Sequence, residues 1–322
     1  MLKFAALSIL TWLMATQAIA QTAPGLREVD DSYSISQRWE GYKDRYPGIA
    51  WPGVTFQAGQ QVLFDRAYKK ANGRDLHIDI FLPVGTARHQ GILLVHGGAW
   101  RSGSKSHFYA LANRLAQRGY TVFLPEYRLA PESAYPAGLI DVNDAIVWAK
   151  AHAAEFAIAP DQLALGGASS GGQMASLLAY SQGEPLFKSN PSDDTSVNAL
   201  IDLDGVLDFT TPMALQYENA AGPKSPAALW LGGSFEQAPR LWHEASAVSH
   251  LSNKAPPTLV ISSGLTRFTA GRDAVSAGLQ RFGIRYRFYT FENAPHDVWL
   301  FEPYLPKIVE EIDAFLTPGT PQ

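Results

Sequence analysis

The run LALGGASSGGQMASLLA, residues 163–179, sets two serines among glycines, between an apolar tetrapeptide and a segment with helical spacing. Glycine is poor material for strand and helix alike, so its concentration here marks a backbone that must turn an unusual corner. Gly167-Ala168-Ser169-Ser170-Gly171 is a G-x-S-x-G pentapeptide directly after a strand and directly before a helix. A chain that reverses in so few residues forces its central residue into a strained conformation and lifts that hydroxyl clear of the sheet, at a helix N-terminus. Ser169 is therefore the candidate nucleophile, and the backbone N–H of Ser170 is a candidate oxyanion donor. The plainer alternative is a turn that only brings a helix close to a strand.

A second stretch, LLVHGGAWRSG at 93–103, places small residues at the end of an earlier strand, where backbone N–H groups can face a cavity. The N–H groups of Gly98 and Ala99 would complete an oxyanion hole with that of Ser170.

Such a corner needs a sheet beneath it. VLFDRAY and LHIDIFLP, on either side of Asn72-Gly73, alternate apolar and polar residues and predict an antiparallel hairpin. Beyond them the strands turn apolar throughout (GILLVHGG, YTVFLPEY, QLALGG, VNALIDLDG, PTLVISSG), with RYRFYTFEN after these. Helical segments separate them: FYALANRLAQRG, AGLIDVNDAIVWAKAHAAEF, SGGQMASLLAYS, and stretches near 273–282 and 304–316. Strands apolar on both sides belong to a parallel sheet covered on both faces. The expected fold is α/β, a doubly wound, mostly parallel sheet of about eight strands with an antiparallel N-terminal hairpin, in one domain over 61–318. Residues 181–197 read as a surface loop, 209–230 as a lid-like insertion beside the site, and 21–60 as a polar, turn-rich N-terminal arm.

PEYRLAPESAYPAGLIDV at 125–142 follows in a loop that turns into a helix. With the two glycine motifs in this order, residues from about 60 to 316 resemble the α/β-hydrolase superfamily, in its HGG-type esterase branch. That resemblance implies a catalytic histidine after the last strand, which ENAPHDVWLF supplies as His296. The imidazole would take the Ser169 proton and return it to the leaving alcohol. His96 belongs to the oxyanion loop, and His77, His107, His243 and His250 read as ordinary surface or core residues.

The third member departs from the pattern. Relatives generally carry an aspartate in the loop after the penultimate strand, but here that loop reads SSGLTRFTAGRD, with Arg267 where the acid is expected. Asp204, at the carboxyl end of the preceding strand, is the preferred substitute, and Asp273 is the alternative acid. Asp202 and Asp204 could instead be a structural pair bound by Arg267 or Arg272.

HGGAWRSG, YRLAPE, IDLDGVLDF, LWLGGSF and RFTAGRD together resemble secreted bacterial carbohydrate esterases, which implies acetyl or methyl esters on plant cell-wall polysaccharide. Trp100 and Trp299 are then candidate substrate-binding residues, since aromatic faces suit sugar rings. The alternatives are a kynurenine formamidase-like amidase, a broad short-chain esterase, and a non-catalytic binding protein on a hydrolase scaffold. A formal net charge of −4 and no run of Lys or Arg give no footprint for nucleic acid. The absence of cysteine excludes disulfides and thiolate chemistry. No metal or organic cofactor is expected, because no ligand cluster or phosphate-cradling loop stands out. Residues 1–20, with one lysine, a short apolar stretch and Ala18-Ile19-Ala20, have the layout of a secretory signal peptide. The expected location is periplasmic or secreted, with no membrane partner after cleavage near Ala20.

Overall fold

Strands that are apolar on both sides need cover on both sides, and the packing supplies it in two layers. The computed structural model describes residues 30–130 and 132–317; the expected signal peptide, the arm residues 21–29 and Pro131 lie outside them. In chain order the elements are α1 (Ile35–Tyr42), β1 (Val62–Ala71), β2 (Arg74–Phe81), β3 (Gly91–Val95), α2 (Tyr109–Ala116), β4 (Thr121–Pro125), α3 (Ala137–Ala151), β5 (Leu163–Ala168) and α4 (Ser170–Tyr180). They continue with β6 (Ala199–Leu203), α5 (Pro212–Ala221), α6 (Pro226–Leu231), α7 (Pro239–Glu244), β7 (Thr258–Ser262), α8 (Arg272–Phe282), β8 (Tyr286–Thr290) and α9 (Tyr304–Leu316).

The eight strands form one sheet in the order β1-β2-β4-β3-β5-β6-β7-β8. The β1–β2 and β2–β4 pairs are antiparallel and the rest parallel, as the sequence predicts for an α/β-hydrolase fold. Strand period sorts the core: in β3, Leu93 and Val95 join the layer of α3, α4 and α8, while Ile92 and Leu94 join that of α2 and α9. Register fixes the working edge. Val95 pairs with Gly167, Ala168 with Leu203, and Leu203 with Ile261, so the loops after β3, β5, β6 and β7 leave the sheet side by side.

Three elements differ from the sequence reading. The arm contains α1, whose N-cap Ser34 accepts from the Gln37 N–H. Its polar composition hides a helix that is held by tertiary packing: Trp39 and Tyr42 lie against the α2–α9 layer, and Tyr33, Tyr46 and Ile49 are buried there. The helix read to 156 stops at Ala151, with Ala157 at φ +54° in the connection that follows. α7 has no clear apolar period and is set by Pro239 at its first turn and by buried Trp242.

Phe301 is fully buried and meets Trp39, Trp51 and Tyr42 of the arm at centroid distances of 6.1, 6.1 and 6.3 Å. Next to it, the Ala50 and Glu302 backbones exchange hydrogen bonds of 3.1 and 3.0 Å. Phe301→Ala should therefore lower stability in urea unfolding by about 3–5 kcal/mol, the usual range for emptying a buried phenylalanine site.

Candidate active site

Ser169 sits at φ +54°, ψ −122°, between the last residue of β5 and the first of α4. The corner closes because its neighbours lack side chains. A Cβ on Gly171 would lie 2.0 Å from the Val95 carbonyl oxygen, and one on Gly167 would lie 2.3 Å from that of Gly171. The serine is pinned by its own N–H to Leu203 O at 2.8 Å and by Gln173 N–H to its carbonyl at 2.9 Å.

His296, in the loop after β8, lies with Nε2 2.8 Å from Ser169 Oγ and Nδ1 2.8 Å from Asp204 Oδ2. A carboxylate only accepts, so Nδ1 carries the proton, Nε2 is left as acceptor, and the serine hydroxyl donates to it. Asp204 is buried at φ +58°. Its Oδ1 accepts from Ser262 Oγ at 3.0 Å and from Ser263 N–H at 2.9 Å, and Oδ2 also accepts from Ser263 Oγ. The Phe268 ring stacks on the imidazole, with centroids 3.7 Å apart and planes 7° apart. A hydroxyl, an imidazole and a carboxylate in this series can move a proton off Ser169 and stabilise the imidazolium formed.

Ser169 and His296 open on a cavity of about 340 Å³ also lined by Gly98, Ala99 and Ser170. The loop after β3 takes its shape from Gly98, where a Cβ would meet Ser102 O at 2.1 Å. Trp100 walls the cavity, stacked on Trp230 at 4.7 Å, with its Nε1–H on Gln173 Oε1 at 2.9 Å. The arm forms the other wall: Tyr33 and Tyr42 each donate a 2.6 Å hydrogen bond to Asp297, and Arg38 Nε stands 3.6 Å from that carboxylate. Burial, reinforced by the Asp297 charge, holds both phenols well above their usual range. The insertion contributes Glu218 and Pro226, with Phe209 at its start.

The family model for BD-FAE matches residues 78–265, more than half of the chain and all but the histidine of the series above. The chain belongs to the BD-FAE family. A similar protein is the "Probable carboxylic ester hydrolase LipM" of Mycobacterium tuberculosis, 33% identical over 202 residues that make up 59% of this chain and 44% of the relative. The chain spans under half the length of the curated mycobacterial relatives it matches. Among solved structures, a "Truncated form of carbohydrate esterase from gut microbiota" superposes with a TM-score of 0.66 at 18% identity, covering 83% of this chain and 99% of that one. The thermophilic esterase Est2 of Thermogutta terrifontis, with propionate bound, gives 0.64 at 23% identity, covering 80% and 94%. At such identities the likeness is one of fold.

Two expected site residues of this BD-FAE member lie elsewhere. Asp273 is fully exposed in the first turn of α8, beside Arg272 at 3.7 Å, and does not meet the imidazole. Trp299 is buried with its ring edge-on to His296 at 5.0 Å, so it backs the histidine from the core and offers no face to a substrate. Arg267 binds Glu218 rather than Asp202 or Asp204. Tyr33, Arg38, Tyr42 and Asp297 are not marked in the sequence, since nothing local signals a contact made across some 255 to 264 residues, and neither are Glu218 and Phe268, which meet Arg267 and His296 only through the fold. The serine pair before Gly264 was the one available hint that Asp204 has hydroxyl partners. Among the described residues no cluster of three or more His, Cys, Asp or Glu could hold a metal ion, and no helix is long and apolar enough to cross a membrane.

Ser169 in the family's corner carries backbone strain of about 1–3 kcal/mol, in a region of φ/ψ that glycine adopts freely. Ser169→Gly should raise the melting temperature and Ser169→Ala should not, by differential scanning calorimetry. Asp202, two residues before Asp204 and fully buried, has its carboxyl pushed up to about 7 by burial, with the Asp204 charge adding to the shift, although the Gly205 N–H opposes it. An acid whose folded pKa exceeds its unfolded value binds its proton more tightly when folded, so it erodes stability as pH climbs from about 4 towards 7. Asp202→Asn should therefore raise the melting temperature more at pH 8 than at pH 5.

Proposed function

We propose that this chain is a serine carboxylic ester hydrolase acting through an acyl-enzyme. The observation that carries the reading is the unbroken Ser169–His296–Asp204 series opening on the cavity. Ser169 Oγ attacks the ester carbonyl while His296 Nε2 takes its proton, and the backbone N–H groups of Gly98, Ala99 and Ser170 receive the oxyanion. The tetrahedral adduct collapses as His296 returns the proton to the leaving alcohol, and a water activated by the same imidazole releases the acid. Asp204 keeps the ring in the productive tautomer. LipM, a probable carboxylic ester hydrolase, supports the same chemistry at 33% identity over 202 residues.

The substrates we infer are acetyl or methyl esters on plant cell-wall polysaccharide, met outside the cytoplasm after export directed by residues 1–20. Trp100 and Phe209 line a cavity of only about 340 Å³, which favours small ester groups over long ones. Release of acetate from acetylated and of methanol from methylated polysaccharide tests the substrate class directly, and silence on both would reject it.

On 4-nitrophenyl acetate, Ser169→Ala should lose at least about 10³-fold in kcat, and Asp204→Asn on the order of 10³–10⁴-fold through the wrong imidazole tautomer. Asp273→Asn should retain full activity. Equal activity of the Asp204 and Asp273 variants would remove Asp204 from the mechanism.

A further inference from the structure

Three arginines reach the cavity from three separate elements: Arg38 from α1, Arg101 from the loop after β3, and Arg267 from the Thr266–Thr269 turn after β7. Each has a carboxylate near it: Asp297 at 3.6 Å, Asp30 at 2.5 Å and Glu218 at 2.8 Å, respectively. The two kinds of charge are not equally displayed. The arginine side chains are 41, 45 and 38% exposed, whereas Asp297, Asp30 and Glu218 are 1, 13 and 6% exposed. The acidic groups are also occupied, Asp297 by the hydroxyls of Tyr33 and Tyr42 and Glu218 by Ser225 Oγ and Arg267. Asp297 and Glu218 line the cavity as well, but their carboxylates are covered and engaged, so the more exposed charges around it are the guanidinium groups.

The guanidiniums retain unused donors. Each carries five N–H bonds; among the described residues that of Arg38 makes no hydrogen bond, and those of Arg101 and Arg267 make one each. The Nε atoms of Arg38 and Arg267 are buried, so the exposure of these two side chains, and with it the donors open to a ligand, belongs to the rest of each group. A planar fork of donors matches the two oxygens of a carboxylate in parallel hydrogen bonds.

We propose that these three arginines select esters that also bear a free carboxylate close to the scissile bond, such as an esterified oligosaccharide with unesterified uronate units. The inference rests on the ester-hydrolase reading and adds the charge of the substrate to it.

The test compares matched esters that differ only in that charge: 4-acetoxybenzoate against 4-acetoxybenzamide for a carboxylate on the leaving group, and monomethyl terephthalate against methyl 4-carbamoylbenzoate for one on the acyl group. The full chain should favour the charged member of at least one pair by about tenfold in kcat/KM at low ionic strength, the scale of one charge-assisted contact. Added salt should shrink that preference. Arg38→Gln and Arg267→Gln should each move the charged-to-neutral ratio towards one, and because the ratio is taken within one variant it is insensitive to the fraction folded. The salt series on the unaltered chain tests the same point without any substitution. Turnover of the neutral esters with no preference for the charged ones, or a preference that both variants keep, would overturn the inference and leave the ester-hydrolase reading standing. No turnover of any of the four would overturn both.

Discussion

A helix that begins on top of a sheet, with no room for a side chain between them, is the constraint from which the site follows. Gly167 and Gly171 let α4 start against the ends of β3 and β5, and the one residue between sheet and helix that has no regular conformation left to it is Ser169. Strain of the kind seen at φ +54° persists only where surrounding packing over-determines it. Here α4 is buried along its whole length, so sliding the helix outward to relax one serine would expose an entire core element. The hydroxyl is thus held in place by apolar packing far from any chemistry.

The neighbouring strand repeats the device. Asp204 also has a positive φ, one residue past the point where Leu203 pairs with Ala168 and Ile261. Its carboxylate is turned towards the loop after β7, where Ser262 and Ser263 fill its remaining acceptor sites. The resemblance read from the sequence places the acid in that loop. Here it brings donors to an acid one strand earlier, and the imidazole meets a carboxylate in either case. The acid can change strands because the edges of β6 and β7 lie side by side, so function is constrained by position in space and not by position in the chain.

That explains what could be read from the chain and what could not. Ser169 is legible because strand, corner and helix are all local, and each leaves its own trace in residue type. His296 follows from its place after the last strand once the fold is identified. Asp204 and Asp273 could not be separated by pattern, since both follow apolar strands and only the pairing register decides which one reaches Nδ1. Trp299 misled because a tryptophan beside a catalytic loop has the same sequence signature whether it faces solvent or core. Helix α1 was invisible for a further reason: its stability comes from Trp39 and Tyr42 docking near Phe301, a contact made some 260 residues away in sequence.

The arm is more than a cover, because a single residue of it touches two parts of the machinery. The Tyr33 backbone N–H donates to Ser102 Oγ at 3.0 Å, in the loop that carries Gly98 and Ala99. Its hydroxyl donates to Asp297, the residue after His296. Ser102 in turn donates to the Asp30 carbonyl at 2.7 Å, and Tyr42 supplies the second hydroxyl to Asp297. The loop that carries Gly98 and Ala99 follows β3 and the loop that carries His296 follows β8, so the two come from opposite ends of the domain sequence. Tyr33 bridges them through its amide and its hydroxyl, with both hydrogen bonds buried. An element that looks peripheral in the chain therefore adds a tie between two loops that the sheet alone does not join.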